Sequence, residues 1–97
     1  MNNKEIANTI LKQIGKGALF MLGGKDYIII DNGVTFRIRG SKITNCIKIE
    51  LMPSDTYKVT FLKIWGTNMK VVSVHDDIYC DMLCSLIERV SGLYTHL

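Results

Sequence analysis

The sequence predicts an α+β domain in which an N-terminal helix and a C-terminal helix lie on one face of a five-stranded antiparallel meander. Three observations predict it. Apolar residues recur at helical spacing near both ends of the chain. Between them, five β-rich runs alternate apolar and polar residues. Only short turn-forming segments separate those runs, so neighbouring strands in sequence are neighbours in the sheet. With 97 residues, one proline and no Ser/Gly-rich run, residues 1–97 read as one domain without a linker.

The first helix is read in "NNKEIANTILKQIG". Ile6, Ile10 and Ile14 form a stripe, flanked by Ala7 and Leu11. Asn2 and Glu5 are spaced as a capping pair, and Gly15 is placed to stop the helix. The following "KGALFMLGGK" reads as a connector running into an extended stretch, because Gly23 and Gly24 weaken a helix. In "DYIIIDNGVTFRIRG", Asn32-Gly33 supplies the positive φ angles of a tight hairpin. Val34, Phe36 and Ile38 then face the core, with Thr35, Arg37 and Arg39 opposite. "TNCIKIEL" places Ile47, Ile49 and Leu51 inward. Pro53 marks a turn. "TYKVTFLKIWG" sends Tyr57, Val59 and Phe61 inward and Lys58, Thr60 and Leu62 outward. "MKVVSVH" is the fifth strand. The last helix is read from "DDIYCDMLCSLIERVSG", with Asp76 or Asp77 as its cap. Its apolar stripe is Tyr79, Met82, Leu83, Leu86, Ile87 and Val90, and Gly92 ends it. Leu93, Tyr94 and Leu97 of the tail are expected to pack back on the domain.

Composition narrows the function classes. The chain is 47% hydrophobic and 22% charged with a net charge of +3, an ordinary globular balance and too weakly basic for a protein that coats nucleic acid. Three cysteines, Cys46, Cys80 and Cys84, make no disulfide framework and point to a reducing cytoplasm. The longest apolar runs are far too short to span a membrane. No signal-peptide pattern opens the sequence.

No catalytic, cofactor or metal site is expected. Lys16 and Lys25 sit beside glycines, but Lys25 precedes Asp26 and a strand, whereas a phosphate loop needs Ser or Thr and a helix. Cys80 and Cys84, four apart with His75 nearby, fall short of the four ligands of a tetrahedral site unless Cys46 or His96 joins them. His75-Asp76-Asp77 reads as a strand end and a cap, with no nucleophile placed beside it. The best candidate surface is the outward sheet face. Arg37, Arg39, Lys48 and Lys58 share one phase there and would suit a phosphate-bearing ligand or an acidic protein. Nucleic acid is the weaker partner, because the stacking aromatics such sheets display are here turned inward, Trp65 excepted. Leu62, Ile64 and Trp65 mark an apolar contact surface, and closure of the open face by a homodimer is a fair expectation.

Five short motifs extend this reading. They are M-L-G-x-K (Met21 to Lys25), Asn32-Gly33 at the hairpin, D-x-Y-x-V-x-F (Asp55 to Phe61), Y-x-D-M-L (Tyr79 to Leu83) and S-G-L-Y-x-x-L (Ser91 to Leu97). Together they resemble a family of small bacteriophage, prophage and mobile-element proteins. The resemblance spans Met21 to Leu97 and includes no catalytic motif. It implies a non-enzymatic accessory protein of the bacterial cytoplasm that binds or inhibits a host component, for example in counter-defence. The alternative is a nucleotide- or nucleic-acid-binding module using the basic face.

Overall fold

The computed structural model describes residues 2–95. Helix α1 (Asn3–Ile14) and helix α2 (Lys16–Leu22) precede strands β1 (Lys25–Ile30), β2 (Gly33–Arg37), β3 (Cys46–Leu51), β4 (Tyr57–Trp65) and β5 (Asn68–Ile78). A 3-10 turn (Cys80–Met82) then leads into α3 (Leu83–Ser91). The five strands form one antiparallel sheet in sequence order. The α+β meander and its one-sided helical layer are therefore as the alternation predicts.

Capping sets the start of α1. The Glu5 amide donates to Asn2 Oδ1 at 2.8 Å, and Asn2 Nδ2 donates to Glu5 Oε1 at 3.2 Å. Ile6, Ala7, Ile10 and Ile14 are buried against the sheet, each full burial of a large aliphatic contributing roughly 1.5–3 kcal/mol before entropy is subtracted. Asn3 also ties the helix to the β1–β2 hairpin. It donates to Asp31 Oδ1 at 3.1 Å and accepts from the Asn32 amide at 2.9 Å.

Two expectations about helices are corrected. The connector "KGALFML" is helix α2, with Ala18 and Leu22 buried. Its glycines delimit a helix instead of preventing one. Gly23 sits in the left-handed region at φ 66°, the Gly23 amide donates to the Phe20 carbonyl, and the Gly24 amide to that of Leu19, which is a Schellman stop. At the other end, neither Asp76 nor Asp77 caps a helix, because β5 runs on to Ile78. Asp77 adopts φ 57° where the β4–β5 register shifts between Tyr57 and Val59, and this lets Ile78 turn inward opposite Tyr57. The α-helix begins only at Leu83, so Tyr79 and Met82 lie outside the core stripe and are exposed, while Leu83, Leu86 and Ile87 are buried.

The core lies between the helices and the inner sheet face. Val34, Phe36, Ile47, Ile49, Val59 and Phe61 are fully enclosed there. Tyr57 reaches out of it to donate to Gln13 Oε1 at 2.6 Å, and Cys84 donates to the Ile14 carbonyl at 3.4 Å. The tail is docked through Leu93, as expected, and also through Thr95. Leu93 packs on the core, and Thr95 is bound to Glu88 Oε1 through its hydroxyl and, at 3.0 Å, its amide. Tyr94, by contrast, is 74% exposed. His96 and Leu97 lie outside the described residues.

Candidate functional site

The ladder register settles which side chains share the outer face. Thr35 lies opposite Lys48, Lys48 opposite Thr60, and Thr60 opposite Val74. A second row runs Arg37, Cys46, Leu62, Val71. Ile64 opposes Met69 at the β4–β5 end, and Ile28 and Ile30 flank the face on β1. The face is thus mostly apolar. Lys48 bonds Glu50 at 3.8 Å, an exposed pair worth at most about 1 kcal/mol, and Lys58 lies opposite Glu50 in the ladder. Cations and a carboxylate are interleaved, so Arg37, Lys48 and Lys58 share a face without forming a single-sign patch.

Arg39 leaves that group. β2 pairing ends at Arg37, and the Arg39 amide donates instead to the Leu22 carbonyl at 2.9 Å. This brings Arg39 to the carbonyl end of α2, a favourable place for a cation. Gly23 permits the approach: a Cβ there would sit 3.0 Å from that of Arg39.

Leu62, expected to point outward, does so and is nevertheless only 8% exposed. Its same-face neighbours Cys46, Ile64, Met69 and Val71 close over it laterally, and together they outline a trough of about 450 Å3 across the sheet. Met69 rims it at 64% exposure, whereas Trp65, expected on this surface with Leu62 and Ile64, follows Ile64 in an unbroken stretch of the ladder and so falls on the opposite side of the sheet. Asn45 fixes this end of β4 by imitating a strand: its side chain donates to the Ile64 carbonyl at 2.7 Å and accepts from the Ile64 amide at 2.8 Å. Thr44 adds a bond from its hydroxyl to the Leu62 carbonyl at 2.6 Å.

A second surface went unread in the sequence. Phe20, Met21, Gly23, Gly24, Arg39 and Gly40 line an open cleft of about 480 Å3. Phe20 stands there 84% exposed. A signal existed: Ala18 and Leu22 are four apart and define the buried face of a helix, which leaves Phe20 and Met21 off that face.

The groups weighed for chemistry are dispersed. His75 points inward, its Nε2 3.0 Å from Ser73 Oγ and its ring edge-on to Phe61 with centroids 5.6 Å apart. Cys80 is exposed on the 3-10 turn, whereas Cys84 sits in α3, so the spacing of four does not fall on one α-helix. Among the described residues no three His, Cys, Asp or Glu side chains converge as metal ligands. Among them, too, no helix is long and apolar enough to cross a membrane.

Burial pushes up the Cys46 and Cys84 thiols and the Tyr27 and Tyr57 phenols, with desolvation the leading cause for each. Arg37 and the Ile47 amide partly oppose it at Cys46, and Thr95 partly opposes it at Cys84. All four groups hold their protons more tightly folded than unfolded. Their stabilising contribution is complete below the unfolded values, about 8.5 for Cys and 10 for Tyr, and is lost as pH rises through the folded ones. The melting temperature should therefore fall progressively from about pH 8.5 upward. A flat profile from pH 7 to about 10.5 would contradict it.

The fold and these surfaces define a compact α+β domain with two exposed apolar regions, one on the open sheet and one at the end of α2. Comparison with protein-family models, curated proteins and solved structures finds no match.

Proposed function

We propose that the protein is a non-enzymatic accessory protein of the phage or mobile-element type that binds, and thereby inhibits, a host bacterial component. The motif resemblance supports the class. The observation that carries the binding role is Phe20, a large aromatic held 84% exposed beside Arg39. Aromatic and arginine side chains supply much of the energy of protein interfaces, and here both stand on rigid supports. Phe20 rides on α2, and Arg39 is anchored by its amide to Leu22. The partner this pair fits presents an apolar pocket next to a carboxylate or phosphate. The nucleic-acid reading is weaker, since Arg39 is separated from Arg37, Lys48 and Lys58, and the face those three share is largely apolar.

The test compares captures from bacterial lysate by the wild type and by Phe20→Ser and Arg39→Glu. A species retained near stoichiometrically by the wild type should be reduced at least tenfold with either variant, a loss of about 1.4 kcal/mol or more. Equal capture by all three proteins, or none by the wild type, would remove this assignment.

A further inference from the structure

We propose that the outer sheet face packs against the same face of a second copy of this chain, giving a two-fold dimer with helices outside and two sheets within. The inference goes beyond the binding role above and uses no residue of the Phe20 cleft.

The face is uncovered and apolar over most of its span. All three helices lie on the other side, while Ile28, Met69, Val71 and Val74 stand about half exposed or more on this one. Exposed apolar surface on this scale is often functional in a small protein. Its size suits a second sheet. Five strands spaced about 4.8 Å apart, with about six residues each at about 3.4 Å, present roughly 500 Å2 of sheet plane. Two such faces cover about 1,000 Å2, the extent a specific interface must clear.

Charge points to a self-complementary partner. The face carries Arg37, Lys48 and Lys58 together with Glu50, and Asp26 lies beside Arg37 at its margin. A polyanion would meet Glu50 as a repulsive group, whereas a two-fold copy presents carboxylates as well as cations, so each face meets groups of both signs. Stacking is favoured over edge pairing by the edges themselves. Both outer strands are interrupted by register shifts, between Lys25 and Ile28 in β1 and at two points along β5, and such bulges blunt edge-to-edge addition. Two sheets of the same twist pack face to face at about −30° with interdigitating side chains.

Sedimentation of the full chain between about 1 and 50 μM tests the proposal, a range in which interfaces of this size are populated. The wild type should sediment at twice the 11.0 kDa chain mass. Val71→Glu, a half-exposed position on the face, should weaken association at least a hundredfold and give a monomer with an unchanged far-ultraviolet circular dichroism spectrum. Phe20→Ser should remain dimeric. A wild type that is monomeric throughout overturns the proposal, as does a Val71→Glu dimer of unchanged affinity. A Phe20→Ser monomer overturns it too, because the interface would then lie at the cleft.

Discussion

Replacing Phe61 by alanine should cost roughly 3–5 kcal/mol, the usual range for a fully enclosed phenylalanine. Single domains of this size hold about 5–15 kcal/mol in total, so the variant should melt far below the wild type and populate the unfolded state at moderate urea. The reason is position. Phe61 is completely enclosed at the centre of β4, between Ile47 on β3 and Ser73 on β5, and its ring also supports the His75 edge. Truncation leaves a cavity that rigid strands on both sides cannot collapse into. Phe20→Ala is the matched control. The same chemical deletion on exposed α2 should change stability by no more than about 0.5 kcal/mol. Urea melts of the two variants decide the matter. A Phe20→Ala cost above about 2 kcal/mol would make that ring part of the core, and the cleft would lose its claim to a partner.

The contrast also shows where sequence periodicity is informative. Phe61 was legible as core because β4 alternates cleanly, Tyr57, Val59 and Phe61 against Lys58, Thr60 and Leu62, and a period of two has one inward phase. The same logic located all five strands and their order, since each connection is short. Phe20 was not legible, because its helix is seven residues long and is held by tertiary burial of Ala18 and Leu22, not by a long stripe. Glycines on either side of it look alike whether they break a helix or cap it. Arg39 failed for a related reason. Phase along β2 assigns it to the outer face, but phase persists only while the ladder does, and a hydrogen bond to Leu22, distant in sequence, draws the chain away after Arg37. The aspartates before α3 mislead in the same manner. Asp suits a helix cap and a left-handed bulge equally, and only the pairing of Ile78 with Tyr57 distinguishes them.

Gly33→Ala should lower stability by roughly 1–3 kcal/mol, the range for forcing extra volume into a packed site, or about 4–24 °C in melting temperature at about 4–8 °C per kcal/mol. The Asn-Gly pair suggests that Gly33 serves a positive φ. The structure gives that role to Asn32 alone, at φ 58°. Gly33 is the first residue of β2, paired with Ile30 on one side and Glu50 on the other. What it provides is closeness: a Cβ at this position would run into the carbonyl oxygen of Ile49. Because the obstacle is backbone in a central strand, relief requires β2 and β3 to move apart, which weakens the ladder that carries Val34 against Ile49. Gly17 provides the opposite case. It lies within α2, its φ is ordinary, and a Cβ there meets nothing within 4 Å. Gly17→Ala should therefore stabilise the protein by about 0.5–1 kcal/mol through the lower backbone entropy of the unfolded chain and the better helix propensity of alanine. Thermal melts of the two variants should move in opposite directions. A Gly33→Ala protein as stable as the wild type would mean that the β2–β3 approach is not tight, and a Gly17→Ala loss would mean that α2 does not form as described.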